Sequence, residues 1–151
     1  MHGFERIFLV NGHGGNIATI KSAFAQVYKS ASEMRLETSK SLRCKLSNWF
    51  MSPEVFQAAR KLYGDCEGQH ATPSEIALTL HLHPSLVDKQ FPLPDAAPAG
   101  PIYDYKDFRR RYPDGRMGSN PFLAKAIDGE IFLEKAAVAL SQELLDFLKE
   151  L

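Results

Sequence analysis

Three side chains that can serve metal or proton chemistry lie in two short segments of this sequence. His13 lies within NGHGGN (11–16), directly after the apolar run IFLV (7–10). His70 and Glu75 lie within GQHATPSE (68–75), where a helix is predicted to begin. Imidazole nitrogen and carboxylate oxygen both suit zinc or manganese, and a histidine that binds no metal can carry protons. These residue types indicate a metal site or an acid–base site.

Each segment also has an explanation that needs no metal. Glycine permits a sharp turn, so His13 could simply satisfy a backbone carbonyl where a helix opens. A glycine-rich turn could also hold a phosphate, although neither GxGxxG nor the P-loop pattern is present. Thr72 and Glu75 have the spacing of a capping box, with Pro73 in the first turn. That box explains Thr72 and Glu75 but leaves His70 unexplained.

Strand and helix patterns alternate around these segments. Residues 5–10 predict a strand buried on both faces, as in parallel sheets, and apolar spacing predicts a helix over 14–32. Residues 42–50 predict a second strand, and residues 72–83 predict another helix. The alternation predicts an α/β fold with a mainly parallel sheet flanked by helices. Both segments should then be strand-to-helix turns at the carboxyl edge of one sheet, where sites form.

The rest of the chain predicts loops and one long helix. Residues 63–69 predict a loop, and the segment 92–118, rich in proline, glycine and charge, predicts a long loop of the kind that often covers a site. Residues 121–151 predict an amphipathic helix with its apolar side in the core. The core residues expected there are Ile131, Leu133, Val138, Leu140, Leu144, Leu145, Phe147 and Leu148.

Composition limits the class of protein. A length of 151 residues predicts a single domain over 1–151. Eighteen basic residues balance eighteen acidic ones, so the sequence carries no electrostatic signal for nucleic acid or an anionic membrane. No apolar run is as long as a membrane span, and no signal peptide is evident. The two cysteines, Cys44 and Cys66, form no CxxC motif. They predict free thiols in a reducing cytoplasm, with one disulfide between them as the alternative.

The two histidine segments resemble motifs of the creatininase (creatinine amidohydrolase) family. VNGHGGN (10–16) resembles that family's strand ending in NGHxxN, and GQHATPSE (68–75) resembles its G-x-H-A-x-x-x-E helix start. The segment 117–137 resembles the family's closing segment, so the similarity spans nearly the whole chain in the right order. The resemblance implies a hydrolase with two divalent metals, zinc or manganese, which cleaves C–N bonds in cyclic or small amides by metal-activated hydroxide.

The resemblance also assigns roles to individual residues. His13 matches a metal-ligand histidine, and Glu75 matches a carboxylate expected at the metals. His70 matches the catalytic histidine that acts as a proton shuttle. The residues expected to contact a small amide substrate are Gly12, Asn16 and Trp49. For Trp49 the match is loose, and packing in the core is the alternative.

Three departures from the family pattern shape these expectations. Gly15 replaces a glutamate metal ligand of creatininase proper, so a substrate other than creatinine is expected. Gln69 replaces the acidic residue that can precede the catalytic histidine. The family takes further ligands, a Glu-x-His pair and an aspartate, from a segment upstream of the NGH strand, and that segment is absent from this sequence.

The missing upstream segment predicts that the chain is the C-terminal part of a creatininase-like domain. It would then lack the N-terminal strands, hold half a metal site and be a poor enzyme in isolation. An exposed sheet edge recruits other chains, so a homo-oligomer is expected. The alternative is a non-catalytic fragment or degenerate domain that keeps the fold and associates with a partner.

Overall fold

The strand–turn–helix arrangement predicted for the start of the chain is present. A computed structural model describes residues 4–86 and 95–150, in which β1 spans Arg6–Asn11 and α1 spans Asn16–Glu33. Strand β2 spans Arg43–Asn48 and pairs with β1 in parallel, so that Asn11 lies opposite Asn48. The carboxyl ends of the two strands therefore meet at one edge of the sheet. A small parallel sheet in a chain that also forms helices confirms the predicted α/β class.

Helices make up most of the remaining described chain. The α-helices that follow β2 are α2 (Pro53–Tyr63), α3 (Pro73–Leu82), α4 (Tyr105–Arg111) and α5 (Ala126–Lys149). Short 3₁₀ turns lie at Glu37–Lys40, Trp49–Met51, Gly64–Glu67, Pro84–Leu86 and Pro121–Leu123. Helix α2 begins at Pro53, because proline suits the first helical position.

The described residues divide into two compact units. Residues 4–52 and 136–150 form the first, called here the sheet unit, and residues 53–86 and 95–135 form the second, called the helical unit. The single domain predicted over 1–151 stays a prediction.

Aromatic and hydrogen-bond contacts hold helices against the strands of the sheet unit. The ring of Phe8 on β1 packs against the ring of Phe147 on α5, with 5.9 Å between their centroids. On β2, the backbone N–H of Cys44 donates to the hydroxyl of Tyr28 on α1 at 2.7 Å. Cys44 is a free thiol, as predicted, and so is Cys66 of the helical unit. Helices α1 and α5 thus both contact the sheet.

The helical unit is held by close packing between α2, α3 and the start of α5. The Tyr63 hydroxyl donates to the buried carboxylate of Asp128 at 2.8 Å, and the Tyr63 ring lies 6.1 Å from that of Phe132. A Cβ placed on Gly129 would lie 2.0 Å from the carbonyl oxygen of Ala77. Only glycine therefore allows α3 and α5 to approach this closely.

The prediction that the first strand is buried on both faces is wrong. Leu9 is 39% exposed and Val10 is 60% exposed. Among the described residues β1 pairs with β2 alone, so its other edge has no neighbouring strand. An apolar run indicates a strand that could be buried, but only neighbouring elements can bury it.

The core expected along the C-terminal helix is also only partly formed. Phe147 is 2% exposed, whereas Val138 is 73% exposed and Leu145 and Leu148 are each 54% exposed. Helical spacing shows that α5 has an apolar side. It does not show whether the rest of the fold covers that side.

Several predicted segment boundaries change. The predicted loop 92–118 contains α4, whose start is capped by the Asp104 carboxylate, and its residues 92–94 lie outside the described part of the chain. The predicted loop 63–69 contains a 3₁₀ turn, Gly64–Glu67. The second strand is predicted over residues 42–50, but β2 ends at Asn48 and Trp49 begins a 3₁₀ turn.

None of the helices within residues 4–86 and 95–150 combines the length and hydropathy that a bilayer-crossing segment requires.

Candidate active site

His13 lies in an exposed turn between β1 and α1, as its glycine neighbours predict. Its Nδ1 accepts a hydrogen bond from the backbone N–H of Gly15 at 3.0 Å. Because Nδ1 acts as the acceptor, the neutral ring carries its proton on Nε2. A metal bound to Nδ1 would take the lone pair that accepts this bond. A metal bound to Nε2 would leave the ring proton on Nδ1, facing the Gly15 N–H. Ligation through either nitrogen therefore breaks the bond.

The residues predicted to contact substrate lie in the same unit as His13. Gly12 is exposed in the turn, and Asn16 at the start of α1 donates from Nδ2 to the side-chain oxygen of Asn11 at 3.2 Å. Trp49 is buried, and its ring meets that of Phe50 edge-on, with 5.9 Å between centroids. Burial is what the packing alternative predicts for Trp49. The three substrate contacts stay predictions.

His70 is fixed by both its backbone and its ring. The residue forms an isolated antiparallel bridge with Met117. Its ring Nδ1 lies 2.7 Å from the carbonyl oxygen of Gly115, and its ring edge contacts Phe108 at a centroid distance of 5.9 Å. A carbonyl can only accept, so Nδ1 carries the proton, and Nε2 is the basic nitrogen of the neutral ring.

A close approach of two glycines supports the His70 bridge. Gly68 and Gly118 both have a φ of +65°, which side chains other than glycine's rarely adopt. A Cβ on Gly68 would lie 2.4 Å from the backbone of Gly118. A 3₁₀ turn, Gly64–Glu67, precedes this segment. The prediction of a strand-to-helix turn here is therefore wrong, because a turn and not a strand leads into it.

The capping box predicted at the start of α3 is confirmed. The Glu75 N–H donates to Thr72 Oγ1 at 3.2 Å, and Glu75 Oε2 accepts from the Thr72 N–H at 3.1 Å. The Thr72 hydroxyl also donates to Oε2 at 3.1 Å. The cap therefore uses one carboxylate oxygen of Glu75, and Oε1 lies outside the box. The cap and a role as metal ligand are compatible.

Glu67 is a half-buried carboxylate that no sequence motif singles out. It accepts hydrogen bonds from the hydroxyl and the backbone N–H of Ser74. Burial raises the pKa of Glu67 above its usual 4.5, the bonds from Ser74 oppose that shift, and the charge of Glu75 adds to it. A separation of seven residues across a turn fits no local motif, so no sequence signal could have found this contact.

The candidate metal ligands are suitable in chemical type. His13 offers an imidazole in the sheet unit and Glu75 a carboxylate in the helical unit, and both groups suit zinc or manganese. Within the described ranges, no three His, Cys, Asp or Glu side chains are grouped so that they could hold a metal ion. The prediction that His13, His70 and Glu75 converge stays a prediction.

Known structures share this fold. A structure named "Creatininase Mn" aligns with a TM-score of 0.75 at 21% identity, covering 99% of this chain and 59% of its own. A mutant creatininase described as "Zn-Zn type" gives 0.73 at 24% identity, with coverages of 99% and 58%. A crystal structure of creatinine amidohydrolase (creatininase) gives 0.68 at 25% identity, with coverages of 94% and 57%. The fold is therefore that of the creatininases.

The sequence assigns the chain more specifically. The family model described as creatininase, creatinine amidohydrolase, matches residues 1–144. The chain belongs to the creatininase family, as its two histidine motifs predicted. It spans less than three fifths of the length of the creatininase structures named above. No curated protein sequence matches it significantly.

Proposed function

We propose that the protein is a metal-dependent amidohydrolase that cleaves a C–N bond in a cyclic or small amide. The observation that carries the proposal is the setting of His70, whose Nδ1 lies 2.7 Å from the Gly115 carbonyl. That contact gives the ring one defined basic nitrogen, Nε2. Membership of the creatininase family supports hydrolysis as the class of reaction.

The proposal assigns a divalent metal, zinc or manganese, to His13 and Glu75. The names of the solved creatininases, one with Mn and one of Zn-Zn type, support this choice of metals, and two metals are proposed for a complete site. When bound, such a metal lowers the pKa of a water molecule and polarises the amide carbonyl. Glu75 can take part without losing its cap, because the box uses Oε2 alone.

His70 moves the proton in this proposal. As water adds to the amide carbon, Nε2 of His70 accepts the proton that the water loses. The Gly115 carbonyl accepts a hydrogen bond from Nδ1–H throughout. This bond stabilises the imidazolium that forms and keeps the ring in place. His70 then gives the proton to the leaving nitrogen as the C–N bond breaks. Water and amide yield a carboxylic acid and an amine.

The substrate is proposed to be a small amide other than creatinine. Gly15 occupies the position at which creatininase proper carries a glutamate ligand, so the metal environment beside His13 differs. Gly12, Asn16 and Trp49 are proposed to contact the substrate. The burial of Trp49 means that only part of its ring could do so.

The experiment is a hydrolysis assay of the full protein that the gene encodes. Creatinine and a panel of small cyclic amides are each incubated with Zn²⁺, with Mn²⁺ and with EDTA. We expect turnover that requires metal, is lost in His70→Gln and is retained in His83→Gln, since His83 is exposed at the end of α3. Absence of metal-dependent turnover across the panel would refute the proposal and favour a non-catalytic domain.

Self-association is a further part of the proposal. The exposed apolar side of α5 and the β1 edge are surfaces that a second copy could cover, so we propose a homo-oligomer. Sedimentation of the purified protein would show a single monomeric species if this is wrong. The free thiols Cys44 and Cys66 suit the reducing cytoplasm, which we propose as the location.

A further inference from the structure

One buried amide side chain holds the turn that carries His13. Asn11, the last residue of β1, is 4% exposed. Its Nδ2 donates to the carbonyl oxygen of His13 and to Oδ1 of Asn48, both at 2.7 Å. Its Oδ1 accepts from the His13 N–H at 3.3 Å and from Nδ2 of Asn16 at 3.2 Å. An asparagine offers two N–H donors and two lone pairs, and all four are used here.

The turn is rich in glycine, and hydrogen bonds hold its backbone. Gly12 and Gly14 are exposed, and no described atom would lie within 4 Å of a Cβ added to either. The space beside these two glycines is therefore open, and no packed neighbour restricts the backbone at either position. Asn11, by contrast, holds both backbone groups of His13, and the His13 carbonyl also accepts the N–H of Asn16 at the start of α1.

The direction of the Asn11 amide follows from its partners. The His13 carbonyl can only accept and the His13 N–H can only donate, so Nδ2 must face the first and Oδ1 the second. Asn48 must then present Oδ1 to the remaining N–H of Nδ2. Asn48 lies opposite Asn11 in the register of the two parallel strands, which places its side chain correctly.

We propose that Asn11 is the positioning residue for His13 and that Asn48 orients it. This inference rests on the proposed function only in taking His13 as a metal ligand. The hold of Asn11 on the turn is a matter of structure alone. Side chains that orient a metal ligand typically change metal affinity about 10- to 100-fold when they are removed.

Two matched substitutions in the full protein test the proposal. Asn11→Asp places a carboxylate against two oxygens, those of His13 and Asn48, and removes both donated bonds. Asn48→Asp adds the same charge at the paired position but still accepts from Asn11. We expect Asn11→Asp to shift the amide NMR signals of residues 12–16 in the metal-free protein and to weaken Zn²⁺ binding about tenfold or more. Asn48→Asp should leave those signals close to the parent's.

The possible outcomes separate the claims. Unchanged signals and Zn²⁺ affinity within about threefold of the parent in Asn11→Asp would overturn the proposal, as would equal effects of the two variants. If the parent itself binds no Zn²⁺, the proposed metal role of His13 fails, while the NMR comparison still decides the role of Asn11. If Asn11→Asp does not fold, Asn48→Leu and Asn48→Asp replace it, because leucine cannot accept the bond from Asn11 and aspartate can. The amide signals of residues 12–16 should shift only in Asn48→Leu. Equal spectra of the two variants would overturn the proposal.

Discussion

Substitutions at Glu75 and Thr72 separate the helix cap from the proposed metal ligand. Glu75→Ala removes the two bonds that Oε2 accepts from Thr72, but keeps the bond from its own N–H to the Thr72 hydroxyl. Losing part of a cap costs about 0.5–2 kcal/mol. Because Thr72 is half-buried, water can replace part of the loss, and alanine adds a few tenths of a kcal/mol of helix propensity.

Removing the charge of Glu75 further reduces the net loss. That charge helps to raise the pKa of Glu67, so the two carboxylates repel each other, and the repulsion disappears in Glu75→Ala. We therefore expect Glu75→Ala to lower the free energy of unfolding by about 1 kcal/mol or slightly less. Glu75→Gln keeps an oxygen acceptor for Thr72 and should unfold within about 0.5 kcal/mol of the parent.

Urea unfolding and metal titration of the full protein give the decisive comparison. If Glu75 is a ligand, both variants at this position lose metal affinity, although only Glu75→Ala loses stability. Thr72→Ala is the converse control, since it weakens the cap by about 1 kcal/mol and keeps the Glu75 carboxylate. Parental metal affinity in Glu75→Gln would refute the ligand role. Parental stability in Glu75→Ala would refute the reasoning about the cap.

Three further predictions concern the helical unit. Gly129→Ala should destabilise the protein by about 2 kcal/mol in urea unfolding, since overpacking costs about 1–3 kcal/mol. The new Cβ would lie 2.0 Å from the Ala77 carbonyl oxygen. Stability equal to the parent's would contradict this close contact. Burial and the hydrogen bond to Asp128 raise the pKa of Tyr63 above 10, so the folded state keeps the phenol protonated. The free energy of unfolding should fall as the pH rises above 10, and Tyr63→Phe should reduce that fall. The pKa of Glu67 is also raised in the folded state, which therefore binds the Glu67 proton more tightly than the unfolded state does. The free energy of unfolding should accordingly fall as the pH rises above 4.5. Urea midpoints measured across this range should vary less in Glu67→Gln, and an unchanged profile would contradict the shift.

Local interactions could be predicted from the sequence because they depend on residues a few positions apart. The turn after β1 follows from glycines beside an apolar run, and the cap of α3 joins Thr72 to Glu75 three residues on. The family, too, was evident from two short segments that contain His13 and His70. The cap bonds and most bonds of the turn join residues within one segment, so the local order of residues is sufficient to indicate them.

The tertiary structure decided which of those groups are buried and what fixes them. One partner of the His70 ring is the carbonyl of Gly115, 45 residues further along the chain, and no periodic pattern connects positions so far apart. In the same way, helical spacing gave α5 an apolar side but could not show that Val138 is exposed whereas Phe147 is buried. Burial and long-range hydrogen bonds depend on which elements pack together. The sequence of a single element does not contain that information, because the neighbouring surface comes from elsewhere in the fold.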